Sequence, residues 1–244
     1  MLAGRRPEGG IRPGQCRLSH RLRRGPGRAG PVSERPLLIF GAGGLAREAA
    51  FLAQRLGRRV TAFVDRAPGT LGGHPVVTLD GAVARWPGAE VSIAVGDSAL
   101  RRHLAAAAAA AGLAATSLID PATPIADDTV IGAGAIILPG VSLTVNIRLG
   151  AHVLINPGVT IAHDVVMGDF VSLAPGVHVA GNAAIHDDAF LGIGAVVSNG
   201  RPDRPIVIGR GARVGAGAVV TNDVSAGFTV IGVPARPMRG RDVA

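Results

Sequence analysis

The sequence has few of the residues that mark disulfide-bonded, membrane or aromatic-rich proteins. Its 244 residues include one cysteine, no tyrosine and no lysine, and aromatic side chains make up 3%. Because Cys16 is alone, an intramolecular disulfide and a cysteine nucleophile in the folded body are both excluded. No run of eighteen apolar residues is present, and the first residues lack the apolar segment of a secretory signal. We therefore expect a cytoplasmic protein without membrane insertion.

The net charge of +8 is concentrated at the start of the chain. Residues 1–35 contain nine arginines and two glutamates, whereas the remainder is close to neutral. This leader is rich in Gly, Pro and Arg and has no apolar periodicity, which predicts disorder. One interpretation is a tail that binds nucleic acid or a membrane surface. A solvated tail or an over-extended start site is the interpretation we favour, so no nucleic-acid partner is expected.

The most informative feature is a six-residue repeat that begins at Ile125. Twelve hexads follow without interruption, from IADDTV through INPGVT and IAHDVV to LGIGAV, and each starts with Ile, Leu, Val or Met. Residues 201–205 break the frame, and the repeat resumes as IVIGRG. A period of six predicts a parallel β-helix with one hexad per face, in which the first positions point inward and stack eighteen residues apart. About five coils are predicted over residues 125–240.

Residues 36–124 predict a small Rossmann-like α/β domain. LLIF is a short buried strand, and Gly41, Gly43 and Gly44 lead from it into the helical pattern EAAFLAQRLG, followed by a second strand that ends at Asp65. Glycines at such a turn allow a phosphate to approach the helix N-terminus, and an acid after the second strand suits a ribose. About 85 residues are too few for a full dinucleotide fold, so a mononucleotide or nucleotide-sugar is expected.

A further strand and a Gly-Asp-Ser turn precede a helix that carries Arg101 on its first turn. Arg101 is a candidate substrate-binding residue. The alternative is that it is a solvated charge on a helix capped by Asp97 or Ser98.

Together these motifs carry a resemblance to a known family. The chain resembles the NeuD/PglD family of sugar acetyltransferases. The resemblance lies in the GxGG strand-turn-helix, the strands that end in Asp and in Gly-Asp, the hexapeptide repeat and the closing Gly232-Val-Pro-Ala-Arg236. The resemblance covers residues 37 to about 239. It implies a left-handed β-helix, an N-terminal domain that holds a nucleotide-sugar, and a homotrimer with acetyl-CoA bound between neighbouring subunits.

The resemblance and the repeat both select His163 and Asp164 as the catalytic pair. Acetyl transfer requires a base near neutral pH, which an imidazole provides, and an adjacent carboxylate fixes its tautomer. His163 occupies the third position of its hexad, at an outward-facing corner, and Gly181 follows one coil later. Gly181 is expected to leave room for a cofactor and to offer its N–H to the thioester oxygen.

The remaining site residues follow from the same resemblance. Asn156 is expected to contact the substrate. Gly181, Ile193 and Ala216 are expected to line the CoA channel through backbone atoms, and Arg236 to lie near the phosphates. No metal is expected, because the histidines lack ligand spacing. Many family members carry histidines where this chain has Leu45 and Ser172, so the identity of the sugar stays open.

We therefore predict acetyl-CoA-dependent acetylation of the amino group of a nucleotide-linked amino sugar in surface-glycan biosynthesis. O-acetylation of sialic acid or another sugar hydroxyl is an alternative within the same class. A nucleotide-sugar-binding scaffold without catalysis, and a nucleic-acid-binding protein that acts through the leader, are alternatives from other classes.

Overall fold

The structure, a computed structural model, describes residues 23–24 and 33–238. An N-terminal α/β domain is followed by a left-handed parallel β-helix, which confirms the predicted fold class. The leader predicted to be disordered lies mostly outside the described residues. Within it, Arg23–Arg24 form a short strand, β1. No helix in the described ranges is long and apolar enough to cross a membrane.

The α/β domain contains a six-stranded sheet and three helices. Its elements in chain order are β2 (Leu37–Phe40), α1 (Gly44–Arg55), β3 (Val60–Val64), β4 (Gly69–Leu71), β5 (His74–Val77), α2 (Leu79–Arg85), β6 (Glu90–Ile93), α3 (Ser98–Ala110) and β7 (Ala114–Ala115). The strand order is β4-β5-β3-β2-β6-β7, and only the β4–β5 pair is antiparallel. Because the chain leaves β2 on one side to β3 and later returns on the other to β6, the carboxyl end of β2 is a switch point.

The β-helix has three faces, which we number in the order that the chain meets them from the start of the repeat at Ile125. The first face contains β9 (Val130–Ile131), β12 (Arg148–Leu149), β15 (Val166–Met167), β18 (Ala183–Ile185) and β21 (Ile206–Ile208). The second contains β8 (Leu118–Ile119), β10 (Ile136–Ile137), β13 (Leu154–Ile155), β16 (Ser172–Leu173), β19 (Phe190–Leu191), β22 (Arg213–Val214) and β24 (Thr229–Ile231), with β25 (Arg236–Pro237) antiparallel at its end. The third contains β11 (Ser142–Leu143), β14 (Thr160–Ile161), β17 (His178–Val179), β20 (Val196–Val197) and β23 (Val219–Val220).

Strand β1 pairs antiparallel with β9 at one end of the first face. The second face begins with β8, which precedes the start of the sequence repeat at Ile125 and pairs in parallel with β10.

The repeat sets the interior of the β-helix. The aliphatic residue that begins each hexad from Ile131 to Leu191 is buried, and these side chains form one continuous core. Leu149 pairs with Ile131 below it and with Met167 above it, as the eighteen-residue period predicts. Further along, Ile185 pairs with Ile208, so five extra residues are accommodated between β20 and β21. Each coil therefore covers the apolar surface of the one before it.

The α/β domain packs on the second face of the β-helix. Leu52 of α1 belongs to the same buried cluster as Leu118, Ile136 and Leu154, whose side chains extend from that face. The Arg55 guanidinium also makes an ion pair with Asp120, which is 2% exposed, next to β8. The apolar contact and the ion pair together fix the domain to this face.

The Asp120 ion pair predicts a pH-dependent contribution to stability. Hydrogen bonds from Arg55, and a smaller contribution from the Ala122 N–H, hold the pKa of Asp120 below its usual 3.8. Because the folded-state pKa is the lower one, the stabilisation is complete above 3.8 and is lost as pH falls through the folded value. We expect Asp120→Asn to lower the free energy of unfolding by about 1–3 kcal/mol at pH 7, and the deficit to shrink towards pH 3.

Urea unfolding of both proteins at several pH values measures this difference. Asp127→Asn, at an exposed aspartate of the same connection, is the matched control and is expected to be neutral. A deficit that does not vary between pH 7 and pH 3 would contradict the role of the ionised carboxylate.

Candidate functional site

His163 and Asp164 lie at the corner between the third and first faces, in the turn from β14 to β15. Asp164 adopts φ of 59°, a left-handed conformation that aspartate tolerates better than most residues. His163 Nδ1 lies 2.7 Å from Asp164 Oδ2, and the imidazole is 53% exposed. Both members of the pair therefore come from one subunit, and the imidazole is accessible from solvent.

The charge on Asp164 determines which imidazole nitrogen is available. The hydrogen bond with His163, and then the one from Asn146, lower the pKa of Asp164, so its carboxylate is ionised at neutral pH. An ionised carboxylate accepts hydrogen bonds only, so Nδ1 carries the proton in the neutral ring. The lone pair is then on Nε2, on the side of the ring away from Asp164. This arrangement suits a general base.

Gly181 lies one coil beyond His163 and against its ring. A Cβ placed on Gly181 would lie 2.5 Å from His163 Cε1 and 2.6 Å from Nε2. The missing side chain thus gives room to the imidazole itself. The predicted use of the Gly181 N–H for the thioester oxygen needs a correction, because in this structure that N–H donates to Asn199 Oδ1 at 2.9 Å.

We expect Gly181→Ala to impair the His163 ring without unfolding the protein. Gly181 has no positive φ, and the three atoms nearest to an added Cβ all belong to the His163 ring, so the contact with the imidazole dominates the strain. Displacement of the ring by about 1 Å is expected to lower kcat by about tenfold or more. Steady-state kinetics and the thermal midpoint measure the two effects. Gly69→Ala, where a Cβ meets nothing within 4 Å, is the control, and equal losses in the two variants would contradict this prediction.

The predicted nucleotide loop lies at the carboxyl ends of β2 and β6. Gly41 has φ of 101°, and its Cα approaches β6 so closely that a Cβ would lie 2.9 Å from the Ala94 carbonyl oxygen. Gly43 caps α1 without a side-chain hydrogen bond, and Gly44 opens the helix and is exposed. Asp65 follows β3 and accepts a hydrogen bond from the Arg66 N–H. These residues converge at the switch point, where helix N–H groups suit a phosphate.

Arg101 does not lie in that loop. It is 1% exposed, so both the expected substrate contact and the alternative of a solvated charge are wrong. All five of its N–H groups have acceptors: the carbonyl oxygens of Val95, Gly96, His152 and Phe170, and the hydroxyl of Ser172. Burial lowers the pKa of Arg101 to about 10, so it is still a cation at neutral pH. Arg101 therefore joins α3 to the β-helix.

Ser172 is part of this contact between α3 and the β-helix, which we call the domain joint. It is 3% exposed and accepts a hydrogen bond from Arg101 Nη2 at 2.8 Å. Next to it, Arg102 pairs with Asp188 at 2.9 Å and lies 4.1 Å above the Phe170 ring. Sequence reasoning missed the joint because its acceptors are mostly backbone carbonyls, which leave no signal in the residue types. Of the two residues predicted to cap α3, Asp97 is the one that does so, since it accepts a hydrogen bond from the Leu100 N–H.

The other predicted site residues lie away from His163 along the chain's own β-helix. Ile193 is 62% exposed at the corner between the second and third faces, and Ala216 is exposed one coil later at the same corner. Arg236 is exposed in β25. Asn156 lies in the turn after β13, is half-buried, and donates to the Leu173 carbonyl oxygen at 2.8 Å. Within one chain the third face thus separates Ile193 and Ala216 from His163.

Comparisons with known proteins match both domains. Residues 36–108 fit the family model of the PglD N-terminal domain. A GDP-perosamine N-acetyltransferase of Escherichia coli O157:H7 is 35% identical over 148 residues, which cover 61% of this chain and 67% of that protein. The chain belongs to the NeuD/PglD family of sugar acetyltransferases. This confirms the predicted family and its acyltransferase class.

Solved structures of NeuD/PglD-type proteins agree with the whole described fold. WeeI from Acinetobacter baumannii AYE superposes with a TM-score of 0.80 at 37% identity, over 84% of this chain and all of that one. PerB from Caulobacter crescentus, in complex with CoA and GDP-perosamine, gives 0.78 at 30% identity, over 85% and 99%. The acetyltransferase domain of PglB from Neisseria gonorrhoeae FA1090, in complex with acetyl coenzyme A, gives 0.78 at 32% identity, over 84% and 100%.

Proposed function

We propose that this NeuD/PglD-type protein transfers an acetyl group from acetyl-CoA to the amino group of a nucleotide-linked amino sugar, in the cytoplasm, as a step of surface-glycan biosynthesis. The observation that carries the proposal is the His163–Asp164 pair, in which Asp164 contacts Nδ1 and leaves Nε2 of the exposed imidazole for the substrate. The PerB structure, with CoA and GDP-perosamine bound, supports an amino-sugar acceptor.

His163 would act as the general base. As the amine nitrogen attacks the thioester carbonyl, Nε2 accepts the proton that the nitrogen loses, and Asp164 stabilises the imidazolium that forms. The carbon–sulfur bond then breaks, and the imidazolium returns the proton to the departing thiolate. The products are an N-acetyl sugar and CoA with a free thiol, so atoms and charge balance. Acetyl-CoA supplies the activated acyl group, and no metal takes part in this scheme.

In a homotrimer, the nucleotide loop and the His163 of one chain would belong to two different active sites. The α/β domain packs on the second face, whereas His163 lies at the corner between the third and first faces, which is opposite to that face of the triangular prism. A site shared between two chains would bring the nucleotide loop of one chain to the His163 of another. We therefore propose that Gly41, Gly43, Gly44 and Asp65 of one subunit hold the nucleotide-sugar next to His163 of a neighbour.

The cofactor proposal uses the same packing. Ile193 and Ala216 lie across the third face from His163 and Gly181, so CoA that contacts all four would lie in a groove between two chains. Arg236, and also Arg201 and Arg204 of the inserted loop, are exposed cations that suit its phosphates. Asn156 is proposed to contact the sugar.

Release of free thiol from acetyl-CoA tests the proposal. GDP-, UDP- and TDP-linked amino sugars form one set of substrates. The matched set consists of the same nucleotide-sugars with a hydroxyl in place of the sugar amine. We expect turnover only with an amine. Turnover only with a hydroxyl, or with free sialic acid, would replace N- by O-acetylation. Absence of both turnover and CoA binding would leave a nucleotide-sugar-binding scaffold.

A further inference from the structure

Three corner residues form a column at the boundary between the third and first faces. Asn146, Asp164 and Asn182 are spaced eighteen residues apart, and all three adopt left-handed φ values, of 52°, 59° and 55°. Each therefore occupies the same position of successive coils. Asp164, in the middle, is the residue that contacts His163.

The contacts within this column are not symmetrical. Asn146 Nδ2 donates to Asp164 Oδ1 at 2.5 Å, from the coil below. On the other side, the backbone N–H of Asn182 donates to the His163 carbonyl oxygen at 3.1 Å. No hydrogen bond of the Asn182 side chain is found within residues 33–238. Only the lower of the two asparagines thus acts on the carboxylate.

The two oxygens of Asp164 consequently have separate partners. Oδ1 is bound by Asn146 and Oδ2 by His163. Asp164 is 44% exposed, so packing surrounds only part of its side chain. A donor on Oδ1 restricts that rotation and keeps Oδ2 directed at Nδ1. Because the Asn146 amide is neutral, it orients the carboxylate without introducing a positive charge that would disfavour the imidazolium.

We propose that Asn146 is a positioning residue for acetyl transfer, acting on His163 through Asp164. The inference rests on the proposed role of His163 as base. Asn146 itself is expected to touch neither the sugar nor the acetyl donor. Its effect should therefore appear in kcat and depend on the presence of the Asp164 carboxylate.

Asn146→Gly is the appropriate variant, because glycine accepts the left-handed φ at no steric cost. We expect kcat to fall by about ten- to a hundredfold while the KM for acetyl-CoA changes by less than about twofold. Asn182→Gly, the same substitution one coil higher, is the matched control and is expected to keep kcat within about twofold of the parent. Thermal unfolding of each variant establishes that the β-helix is intact.

A double-mutant cycle with Asp164→Gly separates positioning from a general structural effect. If Asn146 acts through Asp164, adding Asn146→Gly to Asp164→Gly causes no further loss of kcat. A loss of the same size in both backgrounds, or an unchanged kcat in the single variant, would overturn the inference. Failure of the proposed function would give a different result. In that case His163→Ala would retain turnover, independently of the kcat of Asn146→Gly.

Discussion

Replacing His163 with alanine is expected to lower kcat by about a hundred- to ten-thousandfold, the range usual for removal of a general base. The imidazole is the group at the exposed corner whose Nε2 lone pair is unoccupied once Asp164 holds Nδ1. Without it, the amine must lose its proton to water during attack. Binding of acetyl-CoA should be largely retained, because the other proposed contacts, to backbone atoms of the β-helix and to exposed arginines, do not involve the imidazole.

Thiol release, together with CoA affinity by calorimetry, measures the two expectations. His178→Ala is the matched control: His178 is also an exposed histidine of the β-helix, and its Nδ1 lies 2.8 Å from Thr160 Oγ1 instead of a carboxylate. The control should keep kcat within about twofold, and both variants should unfold within about 0.5 kcal/mol of the parent. Turnover by His163→Ala at the level of His178→Ala would exclude His163 as the base.

Replacing Arg101 with leucine is expected to lower the free energy of unfolding by about 3–5 kcal/mol, because several buried acceptors lose their donor at about 1–3 kcal/mol each. The substitution leaves the carbonyl oxygens of His152 and Phe170 and the Ser172 hydroxyl without this donor inside the domain joint. Unsatisfied buried acceptors are costly because no water replaces the lost hydrogen bond. Lysine at this position has three donors for five acceptors, and should recover only part of the loss.

Denaturant unfolding of the parent and the variant measures this effect, provided that the two proteins have the same m-value. Arg102→Ala is the control, because Arg102 is adjacent on α3 but its side chain is 38% exposed and its ion pair with Asp188 is near the surface. Such pairs contribute about 1 kcal/mol or less. Equal losses in the two variants would contradict the assignment of the joint to Arg101.

The sequence alone determined the features that depend on neighbours along the chain. The hexad period placed the interior residues from Ile131 to Leu191, and the frame break at residues 201–205 matches the observed offset between Ile185 and Ile208. LLIF followed by Gly41 predicted the first strand and turn of the α/β domain. His163 and Asp164 were found because they are adjacent and their hexad position faces outward.

The tertiary structure decided every contact between residues that are distant in the sequence. Arg101 meets Ser172 only because α3 docks on a corner of the β-helix, and an exposed arginine would have had the same local sequence. The Asn199 side chain reaches the Gly181 N–H, and Asn146 reaches Asp164, only after successive coils are stacked. The repeat predicts which residues lie above one another. It does not predict which of their polar atoms bond, because side-chain rotation and domain docking are set by packing in three dimensions.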